Sequence, residues 1–306
     1  MTLISVTSLL VLSLHNGEAL NVSPHSISRR KALFRVTGTA VTSSVAFASI
    51  PKVAQSASSI LNRLSTNNLN IPSPSYTKEL NGVDNLYFPD FMAGEWTVTQ
   101  TLVDTSTPLG LKFIGGPNGS ERIALETMAE AQKQVGVPVN FTLKFIPTKW
   151  GVAEDRIYNT KQRLNAFAGR SVVASVEYAN VSTSNRDAIL AMGGTENDPL
   201  PTTVVRFKGP AAQKTFVVSH GKEELDESRW AGYELDRGIF ALTNQNTAPP
   251  LTTDSEFIWM LEKLDNNHIH GVLRIAGYLN PNSDTLYFEA RQRSVSLQDY
   301  KLDFKR

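Results

Sequence analysis

The chain has 306 residues and no cysteine, which excludes disulfide staples, a thiol nucleophile and thiolate metal ligation and leaves stability to an apolar core. Its 30 Lys and Arg residues nearly balance 29 Asp and Glu, but five of the basic residues and one acidic residue lie within 1–57, leaving 25 against 28 beyond. That slightly negative remainder offers no basic field to a nucleic acid.

The first segment, "LISVTSLLVLSLHNGEAL", is apolar from Leu3 to Leu14 and ends in the small-x-small step Gly17-Glu18-Ala19. It is shorter than the roughly 20 apolar residues of a permanent span and reads as a signal peptide over 1–19. Next comes "NVSPHSISRRKALFR", rich in Ser and basic residues and free of acidic ones, as a plastid transit segment is. Arg29 and Arg30 then precede the soft apolar run Val36 to Ile50 and the small residues Ala54 to Ala57, the pattern of a twin-arginine signal. The bland alternative is an N-terminal amphipathic helix with a chance Arg pair. Signal, transit and twin-arginine segments in series over 1–57 resemble the targeting of lumenal proteins in algae whose plastids lie inside the endomembrane system. The expected destination is the plastid, in the thylakoid lumen, with no permanent transmembrane span after processing. Residues 58–85, polar and carrying Pro72 and Pro74, read as a linker with room for one short helix.

Residues 86–306 form the domain. "EWTVTQTLVD", "VNFTLKFIP", "SVVASVEYANVS", "TTVVRFKG" and "KTFVVSHGKEEL" are rich in β-branched and aromatic residues, mostly alternating, and turn residues follow each. The rhythm continues through "RWAGYELD", "FIWMLEKL", "IHGVLRIAGYL", "TLYFEARQR" and "SLQDYKLDF", with Asp265-Asn266-Asn267 as a hairpin turn. The best helix is "ERIALETMAEAQKQVG", stopped by Gly136 and Pro138 and expected to lie across one mouth of a barrel. About ten strands with so little helix must hide their edges by curling. The expected fold is all-β, an antiparallel up-and-down barrel of about 8–10 strands with one inserted helix.

Gly94-Glu95-Trp96 at the first strand resembles the lipocalin or calycin start, in which a Trp plugs the closed end and a late basic residue stacks over it; Arg291 or Arg293 is the expected partner. Read blandly, Trp96 is an ordinary core residue. His268 and His270 share one face of a strand with Glu289 as a conceivable neighbour, but zinc needs three or four ligands at fixed spacing, so they read as surface residues and no metal is expected. No nucleophile elbow, zinc-protease, Walker or dinucleotide motif is present, and "FIGGPNG" lacks the Lys-Ser/Thr of a phosphate loop. Asp155, Arg156 and Asn159, followed by Arg163, suggest a polar cluster at a barrel mouth binding an anionic group, or else a solvated, mutually paired edge. Asn118, Asn140 and Asn180 head N-x-S/T sequons.

"EDRIYN", Asn185-Arg186, "TTVVRF", "GYLNP" and "LYFEARQRSVSLQDYKLDFKR", with Phe91 to Trp96 and Pro108-Leu109-Gly110, resemble an uncharacterised family of cyanobacterial and plastid proteins known only as a domain of unknown function. The resemblance spans roughly 87–306 and implies a barrel-like fold and a photosynthetic-membrane setting, with no reaction to transfer.

Two function classes follow. As a binding module, the barrel holds a small apolar ligand such as a pigment, quinone or lipid, or docks on a photosystem subunit during assembly, with Trp96, Tyr178, Phe207, Trp230 and Trp259 lining its interior. As an enzyme, an isomerase or hydrolase, it uses Asp155, Arg156 and Asn159 with His220. The absence of nucleophile and metal motifs favours binding, without any cofactor. Arg291 is expected to carry stability through Trp96, and Arg156 to affect ligand retention with little effect on melting.

Overall fold

The computed structural model describes residues 59–73, 85–179, 183–244 and 250–306. The three leader segments and the Asn180 sequon lie outside these residues. The strands are β1 (Tyr87–Phe88), β2 (Gly94–Ser106), β3 (Pro138–Thr148), β4 (Gly151–Glu154), β5 (Val173–Tyr178), β6 (Thr202–Phe207), β7 (Ala211–Glu224), β8 (Arg229–Leu242), β9 (Leu251–Lys263), β10 (His268–Tyr278) and β11 (Ser296–Lys305). All pair antiparallel in one sheet of order β1-β4-β3-β2-β11-β10-β9-β8-β7-β6-β5, a curled half-barrel. The expected all-β antiparallel, barrel-like fold is the one found, as a curled half-barrel of eleven strands where about 8–10 were expected and with five helices among the described residues where one was expected.

Period-two alternation decides which side chains enter the core. Along β2, Trp96, Val98, Gln100 and Leu102 are buried, and on β11 Tyr300, Leu302 and Phe304 meet them in the same cluster. Each fully buried large apolar side chain contributes about 1.5–3 kcal/mol, so this interior cluster is the main stabilising body. On β8 a Cβ at Gly232 would overlap the Trp230 ring, so the missing side chain there is what admits the indole.

The helices among the described residues are α1 (Ser59–Ser65), α2 (Glu121–Gln134), α3 (Arg156–Phe167), α4 (Thr183–Ala191) and α5 (Tyr287–Ala290). None is long and apolar enough to cross a membrane. The predicted helix is α2, capped by the Ser120 side chain, which accepts from the Ile123 N–H. It does not cover the interior: its Ala124 packs in a satellite cluster with Phe113, Ala290 and Val295. The helix that does cover it is α3, in a segment read from the sequence as a mouth or edge. The chain leaves β4 near one end of the sheet and enters β5 at the other; α3 makes this crossing and packs on both β3 and β5. It spans the seam that strand hydrogen bonds leave open. Predicted as a strand, "TLYFEARQR" instead holds α5 and a turn in which Arg291 and Gln292 are left-handed, with φ of 53° and 60°.

Outside the sheet, α1 occupies part of the expected linker. Ile60 and Leu69 pack on Leu235, Ile258, Ala276 and Leu297, the outward residues of four strands. Arg63 clamps Glu256 of β9 through two hydrogen bonds of 2.7 and 2.6 Å.

Candidate functional site

The curled sheet and α3 enclose a cavity of about 130 Å³. Its lining changes character along the strands. On β9, Leu261, Trp259 and Phe257 give way to Ser255 and Thr253; the apolar part is completed by Phe88, Met92 and Phe304, and the polar part by Glu234 and Asp236 of β8. Spacing of three or four residues on α3 aims Arg156, Thr160, Arg163, Leu164 and Phe167 into this space.

At the polar pole, Arg156 Nη1 and Nη2 donate to the two carboxylate oxygens of Glu234 at 2.8 and 2.6 Å, a bidentate pair with both side chains nearly buried. Both Nε and Nη2 also approach Asn85 Oδ1 at 3.4 Å. Arg163 Nη1 donates to Glu154 at 2.6 Å. Burial pushes the Glu234 carboxyl up, but the charge and hydrogen bonds of Arg156 outweigh it and hold Glu234 below the usual range. Asp236, two residues on and on the same face, is pushed well above the usual range by burial and then by the Glu234 charge. Its Oδ1 is shielded and has no hydrogen-bond partner among the described residues. Two guanidinium groups, Arg156 and Arg163, face the carboxylates of Glu234 and Glu154 here, and burial with the neighbouring Glu234 charge and hydrogen bond favours the protonated form of Asp236.

Because Asp236 in the folded chain titrates above an unfolded carboxyl near about 3.9, the native state binds more protons above that pH, and this group lowers stability as pH rises. Asp236→Asn is therefore expected to be more stable than the parent at neutral pH, with the gap closing toward pH ~4. Urea titrations at several pH values measure it, and a pH-independent difference would contradict the protonated state.

Of the remaining predicted residues, Asn159 stays with the pole, its Nδ2 donating to Glu154 at 3.1 Å, and the others take structural places. Asp155 caps α3, its Oδ1 accepting from the Tyr158 N–H at 3.1 Å. Asn159 is fully buried and acts as a strand surrogate: its Oδ1 accepts from the Lys144 N–H at 2.7 Å and its Nδ2 donates to the Lys144 carbonyl at 3.0 Å. His220 stands opposite Glu234 in the β7–β8 register. Of the five aromatic residues expected inside, Trp259 lines the cavity. Trp230 is buried in the core against Phe88, Phe207 packs on Phe240, and Tyr178 packs in a separate cluster with Trp150 and Ile189, its hydroxyl pushed up by burial.

Trp96 is buried and donates from Nε1 to the Met92 carbonyl at 2.8 Å. A basic group does stack on it, but the residue is Arg306, with its guanidinium carbon 3.9 Å from the ring centroid. Arg306 also donates to the Ala93 carbonyl, and a Cβ at Gly94 (φ +113°) would come within 3.1 Å of it. Both letters of G-x-W are thus explained by one arginine. Arg291 is exposed at the end of α5, and Arg293 Nε donates to the Ala290 carbonyl at 3.3 Å. The stability effect expected at Arg291 therefore belongs to Arg306. Arg306→Ala is expected to lower stability by about 1–2 kcal/mol and alter Trp96 fluorescence, while Arg291→Ala leaves both unchanged. Thermal melts of the two variants check it.

Glu289 does not join the histidines; it pairs with Lys112, and Asp303 stands beside His268 and His270 instead. What the reading of the sequence missed is the acidic half of the pole. Glu234 and Asp236 at i, i+2 on a strand carried the signal of a shared face, and the 156/160/163/167 spacing carried that of a helix.

No curated protein and no solved structure matches the chain. A family model does match over residues 81–306, most of the chain and all of the half-barrel, and the chain belongs to the family described as Domain of unknown function (DUF6816).

Proposed function

We propose that the half-barrel binds one small, mostly apolar molecule with an uncharged polar end, in its interior. The observation that supports this reading most is the division of the cavity into an aromatic and aliphatic wall and an ion-paired pole beside the buried Asp236, whose protonated form burial favours. The wall would bury the apolar body. Asp236 would donate to a carbonyl or hydroxyl oxygen, whereas a charged end would have to break a bidentate ion pair. Size narrows the class: about 130 Å³ is close to the roughly 150 Å³ that takes up benzene and below the roughly 300 Å³ at which drug-sized pockets begin. A quinone ring or the end of one lipid chain suits it better than a whole pigment.

Native mass spectrometry of the protein purified from its own membranes tests the reading. A retained neutral mass, lost on denaturation and absent from Asp236→Leu, is the expected result. A bare polypeptide mass would instead favour an assembly partner of a photosystem subunit with a filled core. A second reading, a lumenal isomerase or hydrolase, is favoured by two carboxyl groups, Glu234 and Asp236, with opposite pKa shifts in one cavity and His220 across the strand from Glu234. Recovery of a chemically altered molecule on incubation would support it over simple binding.

The leader supports placement in the thylakoid lumen. A fusion of residues 1–60 to a fluorescent protein is expected in the plastid, with Arg29→Lys and Arg30→Lys stalling it before the thylakoid. Secretion or a cytosolic signal would reject this location.

A further inference from the structure

On the outer face of the sheet, opposite to the cavity, two strands bring three metal-ligating side chains together. His268 and His270 are two apart on β10 and so project from one face. Asp303 of β11 is the register partner of His270. Asp303 Oδ1 lies 2.5 Å from His268 Nε2 and 3.4 Å from His270 Nε2. The two imidazoles meet edge to face, with centroids 4.8 Å apart. One ligand atom from each of the three residues falls within 4.8 Å of the others. All three are half-buried or exposed, so an ion has an open approach.

We infer that His268, His270 and Asp303 form a binding site for one divalent transition-metal ion of the zinc class. Bonds of about 2.0–2.1 Å to a tetrahedral ion set donors roughly 3.3 Å apart. The two His-to-Asp separations already bracket that value, and small side-chain rotations bring the imidazole nitrogens to it. Two imidazoles and one carboxylate are a borderline donor set that suits zinc, nickel or copper; calcium and magnesium want six or more oxygens. Position in a paired sheet fixes the three backbones, so little ordering opposes binding. Three protein ligands leave the fourth position to water, the arrangement of an open site and not of a structural clasp.

The neighbours set the affinity. Lys305 Nζ holds Asp303 Oδ2 at 2.7 Å, orienting the carboxylate so that Oδ1 faces the histidines. Its positive charge also opposes a cation. Glu262 of β9 is the other register partner of His270 and adds a carboxylate on the same side. The sequence offered two of these ligands but paired them with Glu289. Only the pairing of β10 with β11 supplies Asp303, 33 positions beyond His270 along the chain.

The test uses the purified full chain without a polyhistidine tag, stripped with chelator and titrated with zinc by calorimetry and with cobalt by visible absorption. One zinc per chain is expected, with a cobalt spectrum of a low-coordinate site. His270→Ala and Asp303→Asn are each expected to weaken zinc binding by at least about tenfold, comparable to or greater than the loss of an outer-shell partner. His268→Gln with His270→Gln should abolish it, and Lys305→Gln should tighten it. Because these side chains lie outside the core, the variants are expected to keep the parent's melting temperature and circular dichroism. If one does not, the Lys305→Gln change, which removes no ligand, still reports on the site. Absence of saturable zinc uptake, or equal uptake by the parent and the double histidine variant, would overturn the inference.

Discussion

Replacing Arg156 with Ala is expected to destabilise the protein by about 3–5 kcal/mol, the loss typical of removing one partner from a buried pair. The Glu234 carboxylate would stay behind without the guanidinium that now donates to both of its oxygens. Desolvation already works against its charge, and without the guanidinium its pKa must rise. The sign of the pH dependence follows. A folded carboxyl raised above its unfolded value destabilises at high pH, so the loss in Arg156→Ala should be largest at neutral pH and shrink toward pH ~4, where Glu234 takes up a proton. For a domain of this size 3–5 kcal/mol corresponds to a drop in Tm of roughly 10 °C. The double variant Arg156→Met with Glu234→Leu should recover most of it, since removing both charges leaves no orphan. Urea unfolding of the three chains at two pH values decides the matter. A silent Arg156→Ala would mean that water reaches the pole freely, and would return Arg156 to the exposed mouth that its sequence context suggested.

The second large effect is expected at Arg63. Glu256 is fully buried on the outer face of β9, and its carboxylate receives both Arg63 and the Tyr278 hydroxyl, the latter at 2.6 Å. Arg63→Ala removes the only guanidinium that these hydrogen bonds bring to Glu256 and loosens α1, which the arginine pins to the sheet. A loss of about 3–5 kcal/mol is expected. Glu256→Gln in the Arg63→Ala background should restore part of it, because a neutral amide still pairs with Tyr278 and carries no buried charge. Hydrogen exchange across residues 59–71 gives a separate readout: protection there should fall in Arg63→Ala and return little in the double variant. Unchanged stability and protection would show that α1 contributes nothing to the domain, as a plain linker would.

Alternation along β2, β3 and β11 was legible in the sequence, because a half-buried antiparallel strand writes its inward residues at nearly every second position. So was α2, whose Ser120 cap and Gly136 stop are local signals. The segment around Arg156 misled. Its charged and polar residues read as a surface edge, yet three of them, Arg156, Thr160 and Arg163, lie on one helical face that the crossover from β4 to β5 turns inward. Composition cannot report burial when a charge is paired, since the partner that makes burial tolerable, Glu234, is 78 residues away. The same limit explains Arg306, the last residue of the chain. Stacking on Trp96 needed a late basic residue, for which the sequence suggested Arg291 or Arg293, and Arg306 is their chemical equal. Only the register of β11 against β2, in which Lys305 pairs with Thr97, sets the final arginine over the indole. Local periodicity and turn chemistry by themselves determined an all-β antiparallel domain with Trp96 at its first long strand. Which strands are neighbours, which helix fills the seam, and so which distant charges meet inside and which histidines meet an aspartate outside, were decided by tertiary structure, because long-range pairing leaves no local trace in the chain.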